Sequence, residues 1–396
     1  MDFLIDRRHD GQFHHIYRQR LDALQPAVAR SSAEYCRENR IETKKTIAEL
    51  KKEMHCLVVG VLYLETPNKK SIPDELFAGK TSDRTYSQDG AEFYLEDRTG
   101  RIRLLFASPQ TVVTGIVVGV CCTCTAPDEA TVHRVFLPGL AEQKHWPAPR
   151  DGRIAFVSGL CFGAPETLLR TRMLFDWVQN AFEAEQVSDV VLLGSIFCPP
   201  AVLSEGKYGG PPVFSTDHFD ALDRVLSSLG SDKKIHVVPG ETDPTNTLLP
   251  QQPLSLRFFP RTAKKNTLKM HTNPALLDLD GCRVLCVSGQ PLNEMEKCFE
   301  APDTLGLMER TLHWQHIAPA APDTLPCYPL ADKDPFVLGE TPHVYVSSNR
   351  KTFAEKTLAA DGKKVAIASL PDYAGTGCVF CFDRNRNAFE AVRMQP

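Results

Sequence analysis

Residues 235–244 read Ile-His-Val-Val-Pro-Gly-Glu-Thr-Asp-Pro, a short apolar run that ends abruptly in a Pro-Gly turn and polar residues. Four more segments follow the same pattern, and they span residues 154–163, 190–195, 284–290 and 344–351. Amphipathic stretches at residues 168–183 and 218–229 predict helices between them. Strands that alternate with helices predict an α/β fold, in which sites form in the loops at strand ends. We therefore expect the five loops to form the candidate site.

The first 140 residues have a different pattern. Residues 57–64, 93–106, 112–120 and 132–137 are rich in β-branched and apolar residues, and Glu-Asp-Arg-Thr-Gly at 96–100 divides the second run into a hairpin. Five short strands with a central hairpin predict a small, partly open barrel of the OB type. Residues 66–90 would form a long loop within it. Before the barrel, residues 14–24 and 37–53 have apolar residues at helical spacing, which predicts two short helices.

The composition excludes several classes of protein. The 396 residues include 45 Lys and Arg and 49 Asp and Glu, a formal charge of −4, which argues against a basic nucleic-acid wrapper. The N-terminus, MDFLIDRRHD, has no apolar core typical of a secretory signal, and no apolar run is long enough to span a bilayer. The 13 cysteines are odd in number and scattered, which favours reduced thiols in cytosol or nucleus. Cys121, Cys122 and Cys124 lack partners at metal-site spacing.

The order and surroundings of the five loops resemble those of the calcineurin-like metallophosphoesterases, which hold two metal ions there with Asp, Asn and His residues. This chain departs from that pattern, and the corresponding residues are Gly159, Cys161, Ser195, Glu241, Thr242, Ser288, Asn349 and Lys351. Glu241, Asp243 and Asn349 remain as oxygen donors, which are too few for a two-metal hydrolase. We therefore expect no catalytic residues, no metal site, no cofactor and no enzymatic activity.

Further segments carry a second and more specific resemblance. They are residues 239–254, 272–275 (Thr-Asn-Pro-Ala), 316–325, 327–329 (Cys-Tyr-Pro), 334–336 (Asp-Pro-Phe) and 370–373 (Leu-Pro-Asp-Tyr). Over nearly the whole chain, the sequence resembles the small (B) subunits of eukaryotic replicative DNA polymerases, the delta type above all. This implies a multidomain α+β fold, with an OB-fold β-barrel packed on an inactivated calcineurin-like phosphoesterase α/β sandwich. The expected domains are a helical leader (1–53), the OB-fold domain (54–148) and the inactive phosphoesterase domain (149–396).

The same resemblance implies a non-catalytic scaffold subunit. It would dock the Cys-rich C-terminal module of the polymerase delta catalytic subunit and bridge to a third, accessory subunit. This role belongs to DNA replication and repair synthesis in the nucleus. DNA would be reached only through the holoenzyme, and no membrane contact is expected.

Three alternatives remain. The small subunits of polymerases alpha and epsilon usually have an extra N-terminal domain, whereas only about 50 residues precede this barrel. A residual Mn-dependent phosphodiesterase or nuclease would need the lost ligands. Single-stranded DNA could bind the barrel through Tyr94, Arg101 and Arg103, although acidic residues slightly outnumber basic ones in the barrel.

The partner-contact prediction concerns the loops at residues 319–329 and 333–336. Aromatic residues are enriched where protein interfaces derive most of their binding energy. We expect Trp314, Tyr328 and Phe336 to be aromatic anchors for a partner.

Overall fold

A computed structural model describes residues 3–5, 12–67, 90–107, 111–164, 167–181, 184, 186–199, 201–202, 212–265 and 267–394. The described residues form two compact units. The first comprises Asp6–Glu142 and Pro291–Thr341, and the second comprises Asp2–Ile5, Gln143–Gln290 and Pro342–Pro396. No helix in the described part of the chain is long and apolar enough to cross a membrane.

Six α-helices lie in the described residues: α1 His14–Asn39, α2 Leu168–Asn180, α3 Thr216–Ser228, α4 Gln290–Glu296, α5 Thr304–His313 and α6 Tyr373–Thr376. The strands of the first unit are β1 Glu42–Lys44, β2 His55–Glu65, β3 Glu92–Glu96, β4 Arg101–Leu105, β5 Val117–Ala126 and β6 Glu129–Phe136. Those of the second are β7 Arg153–Ser158, β8 Val187–Leu193, β9 Ala201–Val202, β10 Pro212–Val213, β11 Lys234–Val238, β12 Leu268–Met270, β13 Ala275–Leu279, β14 Cys282–Val287, β15 Val344–Arg350, β16 Ala354–Ala360, β17 Lys363–Pro371, β18 Cys378–Asp383 and β19 Ala388–Arg393.

The first unit contains a closed ring of five strands. Its sheet has the order β1-β2-β3-β4-β6-β5, and β5 also pairs with β2, which closes the ring. Strand β4 alternates between exposed arginines and the buried Ile102 and Leu104, as the sequence predicts. The five predicted barrel strands are therefore confirmed. Most of the predicted long loop lies outside the described residues.

The leader differs from the two predicted helices. Helix α1 runs unbroken for 26 residues with Pro26 inside it, and it ends where Arg40 adopts a left-handed conformation with a φ of 53°. The prediction of a second helix over residues 37–53 is wrong. Strand β1 pairs there with β2, and a single 3-10 turn, Ile47–Glu49, follows. The Ile47 amide donates to Asp97 at 2.7 Å, so tertiary contacts override the helical spacing.

The second unit contains two large sheets with flanking helices, and β9 and β10 form a separate antiparallel pair. One sheet has the order β12-β11-β8-β7-β18-β19 and the other β13-β14-β15-β17-β16. Buried residues of both sheets form one hydrophobic cluster, which includes Phe156, Val191, Val284 and Val346. Helices α2 and α3 bury Leu174 and Leu222 in a second cluster, on the other face of the first sheet. The strands that lead to the five loops run as predicted, and β9, β10, β12, β13, β16 and β19 are additional.

The chain path differs from the expected domain boundaries. Strand β14 ends at Val287 and β15 begins at Val344, but Pro291–Thr341 belongs to the first unit rather than the second. Residues 6–53 of the leader also belong to the first unit, whereas Asp2–Ile5 belongs to the second. The compact units are therefore two, whereas the sequence suggested three segments with breaks after residues 53 and 148.

Candidate functional site

The loops that follow β7, β8, β11, β14 and β15 approach one another very closely. A Cβ atom on Gly194 would lie 2.6 Å from Nδ2 of Asn349 and 2.7 Å from Cβ of Ser288. A Cβ atom on Gly240 would lie 2.5 Å from the Ser195 amide nitrogen. The φ of Gly194 is 65°, in the left-handed region that glycine adopts at the least cost. The predicted convergence of the strand-end loops is thus observed, and it leaves no room for a side chain at these glycines.

A network of uncharged side chains fills the space beside these loops. Nδ2 of Asn273 lies 2.7 Å from Oε1 of Gln251 and 3.0 Å from Oε1 of Gln290, and it also donates to Oγ of Ser288. Oδ1 of Asn273 accepts the Ser288 amide at 3.0 Å. Nε2 of Gln290 donates to Gln251 at 2.9 Å, and Gln251 donates to the Gly240 carbonyl at 3.0 Å. The amide and hydroxyl groups thereby satisfy one another without any charge.

Asn349 joins this network to the end of β7. Its side-chain amide donates to the Ser288 carbonyl at 2.8 Å, and its backbone amide donates to Oγ of Ser158 at 3.0 Å. With a φ of 56°, Asn349 is one of the non-glycine residues in the left-handed region, which asparagine tolerates well. The structure therefore gives Asn349 a positioning role at the junction of three strands.

Asp243 is the buried carboxylate of the site. Oδ1 accepts the Phe197 amide at 2.9 Å, and Oδ2 accepts the Gly240 amide at 2.7 Å. Burial raises the pKa of Asp243 to about 6, although the two amides favour its charged form. Both oxygens therefore serve to hold the loops after β8 and β11.

The remaining positions singled out in the sequence do not converge on this carboxylate. Glu241 and Lys351 are exposed, and the Thr242 hydroxyl points to the Phe197 carbonyl at 3.5 Å. Gly159 is buried, and the Cys161 amide donates to the Ser195 carbonyl at 2.9 Å. Within the described ranges, no group of three or more His, Cys, Asp or Glu side chains could hold a metal ion. The observed hydrogen bonds of Asp243, Thr242 and Cys161 connect the loops to one another.

Sequence reasoning missed Gln251, Asn273 and Gln290. They come from three separate loops, and their side chains meet only in the folded unit. A signal was available: each is an uncharged polar residue inside a segment with an unusual, proline-rich sequence. Such residues are expected to be buried and mutually bonded when their neighbours are apolar.

The prediction of Trp314 and Phe336 as surface anchors is corrected by the structure. Trp314 is 1% exposed and Phe336 is 0% exposed, both within the first unit. The Ile317 amide donates to the Phe336 carbonyl at 3.1 Å, which fixes the loop around these rings. Both aromatics belong to the core of their unit, because the segment 291–341 packs there. Tyr328 is half-buried, and its role as an anchor remains a prediction.

The first unit contains a buried ionic cluster. Nε of Arg20 lies 2.7 Å from Oδ2 of Asp334, and Nε2 of His316 lies 2.9 Å from the same oxygen. Arg20 also donates to the carbonyls of Gly115, Pro319 and Ala321 at 2.6–2.9 Å. Burial alone would raise the pKa of Asp334, but the Arg20 guanidinium holds it well below its usual range. Burial also lowers the pKa of His316 to about 4. This cluster ties α1 to the segment 291–341.

The barrel face that could bind single-stranded DNA carries paired charges. Arg101 lies over the Tyr94 ring, 4.3 Å from its centroid, and 3.9 Å from Glu96. Arg103 lies 2.8 Å from Glu92 and 3.9 Å from Glu129. Each arginine thus already has a carboxylate neighbour, which reduces its attraction for phosphate.

Comparison with known proteins identifies the class. A family model described as the DNA polymerase delta subunit OB-fold domain matches residues 12–135, and one for the B subunit of DNA polymerases alpha and epsilon matches residues 154–355. The chain belongs to the small-subunit family of DNA polymerases. The five-stranded ring is accordingly the OB-fold domain of this family.

Within that family, the chain is similar to proteins of the delta type. The DNA polymerase delta small subunit of Arabidopsis thaliana is 32% identical over 348 residues, which cover 83% of this chain and 79% of that protein. The protein of the same name from Saccharomyces cerevisiae is 29% identical, and the match covers 98% of this chain and 90% of that protein. DNA polymerase delta subunit 2 of Drosophila melanogaster is 27% identical, and the match covers 94% of this chain and 90% of that protein.

Proposed function

We propose that this chain is the non-catalytic scaffold subunit of DNA polymerase delta. In this role it docks the Cys-rich C-terminal module of the catalytic subunit and bridges to a further accessory subunit, in nuclear DNA replication and repair synthesis. The single observation that supports the absence of catalysis is the uncharged network at the strand ends. The delta-type relatives support the choice of polymerase.

The physical case concerns what a two-metal hydrolase needs. Its metal ions require several carboxylate or imidazole ligands with free lone pairs. Here the Asn273 and Ser288 side chains are hydrogen-bonded to each other, and both oxygens of Asp243 accept backbone amides. Exposed Lys351 adds a positive charge rather than a ligand. These contacts support a degenerate phosphoesterase body whose former ligand positions now hold loops together.

The paired arginines on the barrel support an indirect relation to DNA. Lysine and arginine side chains bind DNA phosphates, and this binding releases the counterions that surround the DNA. Arg103 has two carboxylate neighbours and Arg101 has one, so binding of DNA by this chain alone would have to break those pairs. We infer that DNA is reached through the assembled holoenzyme.

The decisive experiment is capture of the catalytic subunit. The full chain is co-expressed with the delta catalytic subunit from the same organism, and a tag on this chain is used for purification. We expect a stoichiometric complex with the intact catalytic subunit and none with one that lacks its Cys-rich C-terminal module. The modules of the alpha and epsilon catalytic subunits are the matched controls. Preferential capture of either one, or no capture at all, would contradict the delta assignment.

A second assay tests the absence of catalysis. The purified chain is incubated with Mn²⁺ and a labelled oligonucleotide, beside an Asp243→Asn variant that changes the charge at this position and little of its shape. We expect no cleavage above the buffer level in either sample. Mn-dependent cleavage by the wild type that disappears in Asp243→Asn would establish a residual phosphodiesterase instead.

A further inference from the structure

Two exposed histidines flank one hydroxyl on the outside of the barrel. Nδ1 of His55, at the start of β2, lies 3.1 Å from Oγ1 of Thr123 on β5. Nε2 of His133, on β6, lies 2.8 Å from the same oxygen. The two ring centroids are 5.2 Å apart. One nitrogen from each ring is therefore directed at a single point between three adjacent strands.

A β-bulge places His133 there. Along the pairing of β5 with β6, Cys122 is opposite Val132 and Cys121 is opposite Arg134, so the register skips His133. The extra residue turns the strand, and His133 and Arg134 are both exposed in succession. Bulges commonly redirect a side chain in this way next to functional sites.

The hydrogen bonds define which nitrogens could act as ligands. A threonine hydroxyl has one hydrogen, so it can donate to one ring nitrogen and must accept from the other. Sγ of buried Cys121 lies 3.8 Å from Nε2 of His55, on the far side of that ring from Thr123. A hydrogen on Nε2 of His55 that faces this sulfur leaves the lone pair of Nδ1 directed at Thr123, whose hydroxyl donates to it. The hydroxyl then accepts from Nε2–H of His133, so this nitrogen becomes a metal ligand when its hydrogen moves to Nδ1 of the same ring.

We propose that His55 Nδ1 and His133 Nε2 form a site for a divalent transition-metal ion such as Ni²⁺ or Zn²⁺. Small rotations of the two exposed rings move both nitrogens onto the ion, and the Thr123 hydroxyl gives up its bridging position. Imidazole nitrogen suits Zn²⁺, Ni²⁺ and Cu²⁺, whereas Mg²⁺ and Ca²⁺ prefer oxygen ligands. Because the protein supplies two ligands, water completes the coordination and the affinity is modest. This site lies in the OB-fold unit and is independent of the strand-end loops.

The test is a calorimetric titration of the full chain with Ni²⁺ in the presence of a non-thiol reductant. The variants are His55→Gln and His133→Gln, in which glutamine can keep the hydrogen bond to Thr123. We expect each single variant to weaken one binding event by about 10-fold or more, because loss of even an outer-shell group typically costs 10–100-fold. The same titration with Mg²⁺ should show no binding at this site.

The matched control is His14→Gln. His14 and His15 are a second pair of neighbouring rings, with centroids 4.0 Å apart, and His14 is exposed on α1. This variant should bind Ni²⁺ at the barrel site as the wild type does. The proposal requires both rings for Ni²⁺ binding. It would be overturned if either His55→Gln or His133→Gln bound Ni²⁺ as the wild type does.

Thermal unfolding provides a readout that does not depend on calorimetry. A ligand that binds only the folded chain raises its melting temperature by mass action. Excess Ni²⁺ should therefore raise the melting temperature of the wild type and of His14→Gln, and should raise it less in the two barrel variants. Equal shifts in all four proteins would show that the ions bind elsewhere.

Discussion

Two buried polar clusters, one in each unit, are built in opposite ways. In the second unit, Asn273 and Ser288 belong to a network of amides and hydroxyls without charge. In the first unit, Arg20, Asp334 and His316 form a cluster around a buried ion pair. All five of these residues are buried, and each cluster connects segments that are distant in sequence.

The two clusters should differ in how much stability a single substitution removes. A neutral network loses only hydrogen bonds when one member is removed, and each is worth about 1 kcal/mol net, more when a buried partner is left unsatisfied. A buried ion pair leaves a stranded charge when one partner is removed, which typically costs about 3–5 kcal/mol. The two clusters should therefore differ in their response to substitution and to pH.

The largest effect is expected for Asp334→Ala. This substitution leaves the Arg20 guanidinium buried without its carboxylate, and we expect a loss of about 3–5 kcal/mol in the free energy of unfolding. Urea denaturation measures it. The matched control is Asp22→Ala, on the same helix as Arg20, which breaks the exposed pair with Arg98 and should cost at most about 1 kcal/mol. Similar losses in the two variants would mean that the buried charges matter no more than exposed ones.

Asn273→Ala is expected to come next. It removes the donor shared by Gln251, Ser288 and Gln290 and leaves the buried Ser288 amide without its acceptor. We expect a loss of about 2–3 kcal/mol by the same measurement. Asn180→Ala, at an exposed asparagine of α2, should change stability by no more than about 0.5 kcal/mol. A loss for Asn273→Ala as small as this would show that the network contributes little.

The pH dependence separates the clusters further through His316. Its pKa in the folded chain is about 4, below the ordinary value of about 6.5, so the unfolded chain binds the proton more readily. This histidine's contribution to stability is fully present above about pH 6.5 and is lost as the pH falls towards 4. As the pH falls from about 7 to about 5, the free energy of unfolding of His316→Gln should therefore decrease by about 2 kcal/mol less than that of the wild type. Exposed His145→Gln is the control, and an unchanged slope for His316→Gln would refute the prediction.

An effect of similar size and opposite sign is expected for Asp243. Its pKa in the folded chain is about 6, above the ordinary value of about 3.9, so its contribution is fully present below about pH 3.9 and is lost as the pH rises through 6. Asp243→Asn cannot titrate, so between about pH 4 and pH 7 its free energy of unfolding should fall by about 2 kcal/mol less than that of the wild type. Denaturation at several pH values checks this. Equal slopes would show that the two backbone amides keep Asp243 charged throughout.

The sequence predicted the strands well because their pattern is local. The barrel strands and the strands that lead to the five loops are short, β-branched runs, and burial of both faces of a strand leaves a clear apolar signature. The positions of Ser288 and Asn349 in the candidate site also followed from strand ends that meet at one edge of a sheet.

The structure of residues 37–53 and the burial of Trp314 and Phe336 depend on long-range contacts, which a local sequence pattern does not predict. The helical spacing of residues 37–53 gave a wrong helix, because strand pairing with β2 and the bond from Ile47 to Asp97 decide that segment. Trp314 and Phe336 were expected to anchor a partner because they are aromatic residues in or near the loops at 319–329 and 333–336. Their burial follows from the association of residues 291–341 with α1, whose Arg20 is 299 residues from Pro319 and 301 from Ala321.

That association has a consequence for dissecting the protein. A fragment cut after residue 148 would keep the five-stranded ring and α1 but would lack Asp334 and the carbonyls of Pro319 and Ala321. Of the four acceptors that bind the Arg20 guanidinium, only the Gly115 carbonyl would remain in such a fragment. The rest of the guanidinium would then face water or apolar side chains. Truncations and deletions within residues 291–341 should accordingly disturb the barrel first, although these residues follow it by more than 150 positions in the sequence.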